Sequence, residues 1–142
     1  MKRLTVLGLI LSLCSSAGCL FGSTTAPTNY TIVNPVSEVF QGTLDPKGSS
    51  SYNFIIGNPD PLRITLASLT NATTGAAVTS SVKLGLGIPD GTTCNTTFST
   101  TTSAALVAQY FQTAQAGTYC VVVSDPGTMT TSLNFAVRIV HS

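Results

Sequence analysis

The stretch Leu133-Asn134-Phe135-Ala136-Val137-Arg138-Ile139 puts an apolar residue at every second position. Side chains along a β-strand point alternately to its two faces, so one face of this segment is apolar and the other carries Asn134 and Arg138. An amphipathic helix would space its apolar residues by three and four, and this segment does not. The same alternation recurs upstream. Tyr52, Phe54 and Ile56 show it, as do Leu62, Ile64 and Leu66, then Val82, Leu84, Leu86 and Ile88, then Tyr119, Val121 and Val123. Turn formers punctuate these runs: Asp45-Pro46-Lys47-Gly48, Gly57-Asn58-Pro59-Asp60-Pro61, Pro89-Asp90-Gly91 and Ser124-Asp125-Pro126-Gly127. Residues 39–44 read as a further short strand, 94–98 as a weaker one and 104–111 as a stronger one. Two or three helical turns over 104–116 compete with that last assignment. Residues 70–81 and 99–103 read as polar loops. Seven or eight short strands at this spacing predict an all-β fold, an antiparallel sandwich or barrel, and a β-sandwich of jelly-roll type is the form expected of the two.

Of the 142 residues, 43% are hydrophobic and 8% charged, with six Lys+Arg against five Asp+Glu. That length fits one domain with its own core. Ordinary globular domains are about a quarter charged, so this chain is unusually neutral. Its basic residues are scattered, which argues against nucleic acid as a partner. One His and no Trp leave little material for an active site.

Met1-Lys2-Arg3 precedes an apolar run of about ten residues, and small residues follow at Ser15, Ser16, Ala17 and Gly18. This is the layout of a secretory signal peptide; a bilayer span needs about twenty residues. Ser16-Ala17-Gly18-Cys19 resembles the bacterial lipobox, in which the Cys is lipidated and becomes the mature N-terminus. Ser16 departs from the pattern, which favours Leu there. Ordinary cleavage after Ala17 is the alternative and would release a soluble secreted or periplasmic product. The expected organisation is a signal peptide over 1–18, a tether over 19–35 and a sandwich domain over 36–142. A first edge strand at 30–33 competes with the tether. Without Lys2 and Arg3, four basic residues (Lys47, Arg63, Lys83 and Arg138) face five acidic ones, a net charge of −1.

Cys94 and Cys120 remain as a pair, and an oxidising compartment makes a disulfide their expected state. Closing a loop of about 27 residues stabilises by roughly 3–4 kcal/mol on the chain-entropy argument. Two Cys without a nearby His cannot fill a tetrahedral metal shell. Asp45, Asp60, Asp90 and Asp125 each sit in a turn, where a side chain that bonds the local backbone is the expected role. Paired-carboxylate catalysis would need their loops to converge. A Ser-His-Asp arrangement would have to use His141, expected to fray or lie on the surface. Gly85-Leu86-Gly87 reads as close sheet packing or a bulge. Tyr110 and Phe111 are strand neighbours and face opposite ways, so one of them is exposed; the two are the candidate ligand contacts.

The order of these elements resembles the bacterial pre-peptidase C-terminal domain, a small β-sandwich of secreted proteins. The matching pieces are Phe40-Gln41-Gly42-Thr43-Leu44, Ser51-Tyr52-Asn53-Phe54, Pro61-Leu62-Arg63-Ile64-Thr65-Leu66, Ala116-Gly117-Thr118-Tyr119-Cys120-Val121-Val122-Val123 and Phe135-Ala136-Val137-Arg138-Ile139. Together they cover about residues 38–141. Some members of that family hold calcium with acidic side chains near the central strand, but Ser80-Ser81-Val82-Lys83-Leu84 has no carboxylate there, so no metal or cofactor is expected. The expected function is that of a non-catalytic, exported binding or accessory module. It would be anchored to the outer membrane or cell surface through Cys19 and would contact a polysaccharide or protein ligand. A structural subunit of an extracellular assembly is the alternative, and a small hydrolase the least supported.

Overall fold

The computed structural model describes residues 34–142. The expected signal peptide and tether, Cys19 and the competing strand at 30–33 lie outside the described residues. Eight strands follow one another: β1 (Val36–Leu44), β2 (Ser49–Ile56), β3 (Asp60–Asn71), β4 (Val82–Asp90), β5 (Thr93–Thr102), β6 (Tyr110–Ala114), β7 (Gly117–Ser124) and β8 (Leu133–His141). They form two four-stranded antiparallel sheets, β1-β8-β3-β6 and β2-β7-β4-β5. Only β4 and β5 are sequence neighbours within one sheet; every other connection crosses between sheets. That is the strand order of a jelly roll.

The alternation read from the sequence decides which side chains meet between the sheets. Leu133, Phe135, Val137 and Ile139 of β8 are buried, and so are Leu62, Ile64 and Leu66 of β3. From the second sheet come Phe54 and Ile56, Val82, Leu84 and Leu86, and Val121 and Val123. Two aromatic pairs bridge the sheets at their opposite edges. Phe40 of β1 stacks on Tyr52 of β2 at 5.4 Å, and Tyr110 of β6 meets Phe98 of β5 edge-on at 5.0 Å.

Strand β3 runs further than its alternation. Its register with β8 shifts between Leu66 and Ser68, so Leu69, three residues after Leu66, is again buried. A bulge absorbs the extra residue and keeps the leucines inward. The expected loop at 99–103 is likewise mostly strand, since Thr100, Thr101 and Thr102 pair with Leu84, Lys83 and Val82. An edge strand held by ladder bonds to one neighbour needs no apolar alternation, which is why this polar run resembles a loop in sequence.

The strand expected at 104–111 begins only at Tyr110. Before it the chain follows the edge of β3 through two bonds, Ala105 N–H to Leu66 O and Gln109 N–H to Ile64 O. The Gln109 amide oxygen accepts the Leu66 N–H at 2.8 Å and takes the place of a ladder bond. No helix forms there.

The glycines of β4 explain the shape of the second sheet. A register shift falls between Leu86 and Gly87, and an added Cβ at Gly87 would collide with the Asn95 carbonyl oxygen. Strand β5 thus folds closely over the outer side of β4 at Gly87, which brings Cys94 to Cys120 of β7. Their sulfurs stand at disulfide distance, with the Cα atoms 5.8 Å apart. Gly85 is also confined, with Val122 and Thr96 methyls 2.7 and 2.8 Å from an added Cβ.

Replacing Gly87 by Ala must displace backbone, so Gly87→Ala is expected to cost about 3 kcal/mol, the upper end of the range for overpacking. Gly57, where an added Cβ meets nothing within 4 Å, provides the control. Denaturant unfolding of Gly57→Ala should match the parent within about 0.5 kcal/mol.

Candidate functional site

Three polar side chains enter one end of the sandwich and meet there. Glu38 falls on the inward row of β1 and His141 on the inward row of β8, where Val36 and His141 are register partners. Tyr52 reaches across from β2. The Glu38 carboxylate accepts the Tyr52 hydroxyl at Oε2, 2.6 Å away, and contacts His141 Nε2 at Oε1, 2.7 Å away. His141 Nδ1 lies 3.2 Å from the Ser142 carbonyl oxygen, and the Phe54 ring packs at 5.5 Å from the imidazole.

His141 is 3% exposed. The expectation that it frays or lies on the surface is corrected, because the chain end is tied down. The Ser142 carbonyl accepts the Gly57 N–H, and the Ser142 hydroxyl bonds the Asn58 carbonyl.

Burial would raise the Glu38 pKa, but the hydrogen bonds from Tyr52 and His141, with the imidazole charge, outweigh it and hold the carboxyl below its ordinary value. The bond to Glu38 is the main reason why the Tyr52 phenol is pushed up. Both carboxylate oxygens are engaged, so Glu38 serves as a clamp between the sheets. An open groove of about 540 Å³ lies beside it, lined by Val36, Phe54, Ile55 and His141 among others.

The aspartates divide between the two ends of the sandwich. Asp45 and Asp125 lie in the β1–β2 and β7–β8 turns, at the end opposite to His141. The antiparallel topology puts Asp60 and Asp90 at its own end. Asp125 acts as a turn clamp. One oxygen accepts the Lys47 N–H at 2.7 Å and the other accepts the N–H groups of Gly127, Thr128 and Met129. The Lys47 bond is the first cause that lowers its pKa. Lys47 itself sits at φ +62°, so this bond steadies a left-handed turn residue. Asp45 accepts the Ser132 hydroxyl at 2.6 Å. Among the described residues no three of His, Cys, Asp and Glu gather as a metal site.

Of the two aromatic candidates, Tyr110 turns inward against Phe98, while Phe111 is 57% exposed on the outer face of the first sheet. Sequence reading does not foresee what stands over Phe111. The Arg63 guanidinium carbon lies 4.7 Å above its ring centroid, within cation–π range. Arg63 precedes the bonded pair Ile64–Tyr110 on β3, and its own register partner on β6 is Phe111. On β8, the next strand of the sheet, Arg138 faces the same way and donates from Nε to the Ser37 hydroxyl at 3.1 Å. The alternation around Arg63 and Arg138 signals this shared face; only the register between β3 and β8 shows that they are neighbours. Among the described residues the one ion pair is His141–Glu38, so neither arginine has a carboxylate partner there.

Stability should depend on pH through Glu38. Its folded pKa is depressed, so its contribution is complete above the ordinary carboxyl value of 4.5 and is lost as pH falls through the folded value. Glu38→Gln is expected to lose about 1.5–3 kcal/mol at pH 7, the range for a hydrogen bond to a charged group. Part of the acid dependence should go with it, as read by tyrosine fluorescence in urea at pH 7 and pH 3.5.

No family model matches the chain and no curated protein matches it, so the geometry of these side chains carries the functional reading.

Proposed function

We propose that the chain is a non-catalytic, exported binding or accessory module that works by contact through the outer face of its first sheet. The observation that carries this reading is the exposed Phe111 beneath Arg63, with Arg138 on the same face and no carboxylate among the described residues to neutralise either. Aromatic and arginine side chains are the residues most enriched where proteins bind partners. The polar groups that enter the core are consumed in holding the fold, and Asp125 is consumed in its turn, which supports contact over catalysis. The lipobox-like Ser16-Ala17-Gly18-Cys19 supports a lipid anchor at Cys19, with cleavage after Ala17 as the soluble alternative. The likeness to pre-peptidase C-terminal domains supports an accessory role outside the cytoplasm.

A second reading, a subunit of an extracellular assembly, is favoured by one observation. Strand β5 is an edge of ten residues with neither a charge nor a proline, the features that normally blunt an edge against strand addition. Thr101→Lys would place a charge on that edge. In light scattering over a concentration series, assembly that this substitution abolishes would favour the second reading over the first.

Full-length chain carrying Phe111→Ala with Arg63→Ala should bind isolated cell envelopes at least about tenfold more weakly than the parent, with its unfolding midpoint unchanged. Equal binding by both would remove the function from this face. Intact-mass measurement of the mature N-terminus should show diacyl- or triacyl-Cys19; an unmodified start at Gly18 would establish the soluble alternative.

A further inference from the structure

The same face shows which chemistry it is built to hold. Arg63 and Arg138 occupy adjacent strands, because Arg63 pairs with Val140 and Thr65 with Arg138. Such diagonal neighbours stand about 7 Å apart at Cα. The Arg63 guanidinium carbon lies over the Phe111 ring, which restrains the side chain, and a guanidinium so placed has N–H groups to offer a carboxylate or sulfate. From Arg138 the outward row runs along β1 and β8 past the exposed Val39 and past Ala136 to Gln41, Thr43 and Asn134, which line an open depression of about 400 Å³. There the Thr43 hydroxyl donates to the Asn134 side-chain Oδ1 at 2.8 Å, so the N–H groups of that side-chain amide are left to point elsewhere. From Ser37 to Thr43 the strip is about 20 Å long, at roughly 3.3 Å per strand residue.

Resting on the binding-module reading, we infer that this strip is a binding site for an anionic polysaccharide, a polymer of uronic or sulfated sugars. Guanidinium donors would take the acid groups, and the amides and hydroxyls would take the ring hydroxyls. Charge complementarity selects an anion. The five side-chain carboxylates lie elsewhere, Glu38 inward and the four aspartates at the strand ends, and among the described residues no carboxylate forms an ion pair with either arginine. The strip is long and shallow and rich in uncharged polar groups, without a deep pocket for a protein side chain, and this selects a sugar polymer over an acidic protein.

Polygalacturonate, neutral dextran and poly-glutamate are the probes, each titrated against the full-length chain. The chain is expected to bind polygalacturonate, to lose affinity steeply with added salt and to bind dextran and poly-glutamate at least about tenfold more weakly. Arg63→Ala and Arg138→Ala should each weaken binding of polygalacturonate about tenfold or more, the usual loss for one charge-assisted hydrogen bond. Lys83→Ala, on the outer row of the second sheet, removes the same charge and should leave binding unchanged. Equal binding of poly-glutamate would overturn the sugar specificity, and equal binding of dextran would overturn the role of the arginines. Indifference of polygalacturonate binding to both arginine variants would overturn the site. If the chain binds cell envelopes through Phe111 and Arg63 yet none of the three probes, this inference fails and the binding-module reading stands. Failure of both experiments removes both.

Discussion

The sandwich depends on a layer of apolar side chains that carries one polar intrusion. With 8% of its residues charged, the chain relies on burying the inward rows of its strands and gains little from ion pairs. Strand β8 is the centre of that layer. It pairs with β1 along its whole length and with β3 along most of it, so the inward row Leu133, Phe135, Val137 and Ile139 is held on both sides. At its end the row continues into His141, where an apolar residue would keep the pattern. The imidazole, the Glu38 carboxylate and the Tyr52 hydroxyl meet there and satisfy one another. A buried polar group left alone would cost more than it contributes, so the three are acceptable only together. Because Glu38 and His141 belong to one sheet and Tyr52 to the other, the cluster also sets how the sheets face each other at that end.

The second sheet is shaped by the absence of side chains. Two glycines on one strand remove the groups that would keep β5 away; the backbone of β5 takes up the space at Gly87, and the Val122 and Thr96 methyls take it up at Gly85. That approach brings Cys94 within reach of Cys120, two strands away in the sheet order β2-β7-β4-β5. The bulge, the glycines and the cysteine pair are therefore linked, since a β-carbon at Gly87 would push away the strand that carries Cys94.

Much of this is legible in the residues. Period-two alternation identifies the strand-forming segments and an antiparallel sandwich or barrel, while the jelly-roll order needs the strand pairing; Gly85-Leu86-Gly87 signals close packing before any register is known. The failures have physical reasons. Thr100, Thr101 and Thr102 form strand without apolar alternation, because one neighbour's ladder is enough for an edge. Leu69 hides behind a bulge, since a three-residue spacing looks like the end of a strand. His141 is misplaced by sequence reasoning because a position near the chain end says nothing about the tertiary bonds that hold that end. Arg63, Phe111 and Arg138 are 75 residues apart at the extremes (138 − 63), and their adjacency follows from strand register alone.

The division of labour between the two faces of each strand bears on where function can lie. Inward positions are committed to packing, and the turn carboxylates that have contacts are committed to their turns. The outward row of the second sheet is crossed by the cysteine pair and carries glycines at Gly85 and Gly87, which leaves the middle of β4 without side chains to offer a partner. The outward row of the first sheet keeps long, polar and aromatic side chains on a ladder-bonded backbone. A side chain on such a backbone binds with little ordering of the main chain, and Arg63 is further restrained by the ring beneath it. Affinity there depends on side chains already held in place, which is how a small domain with few charges can make two arginines count.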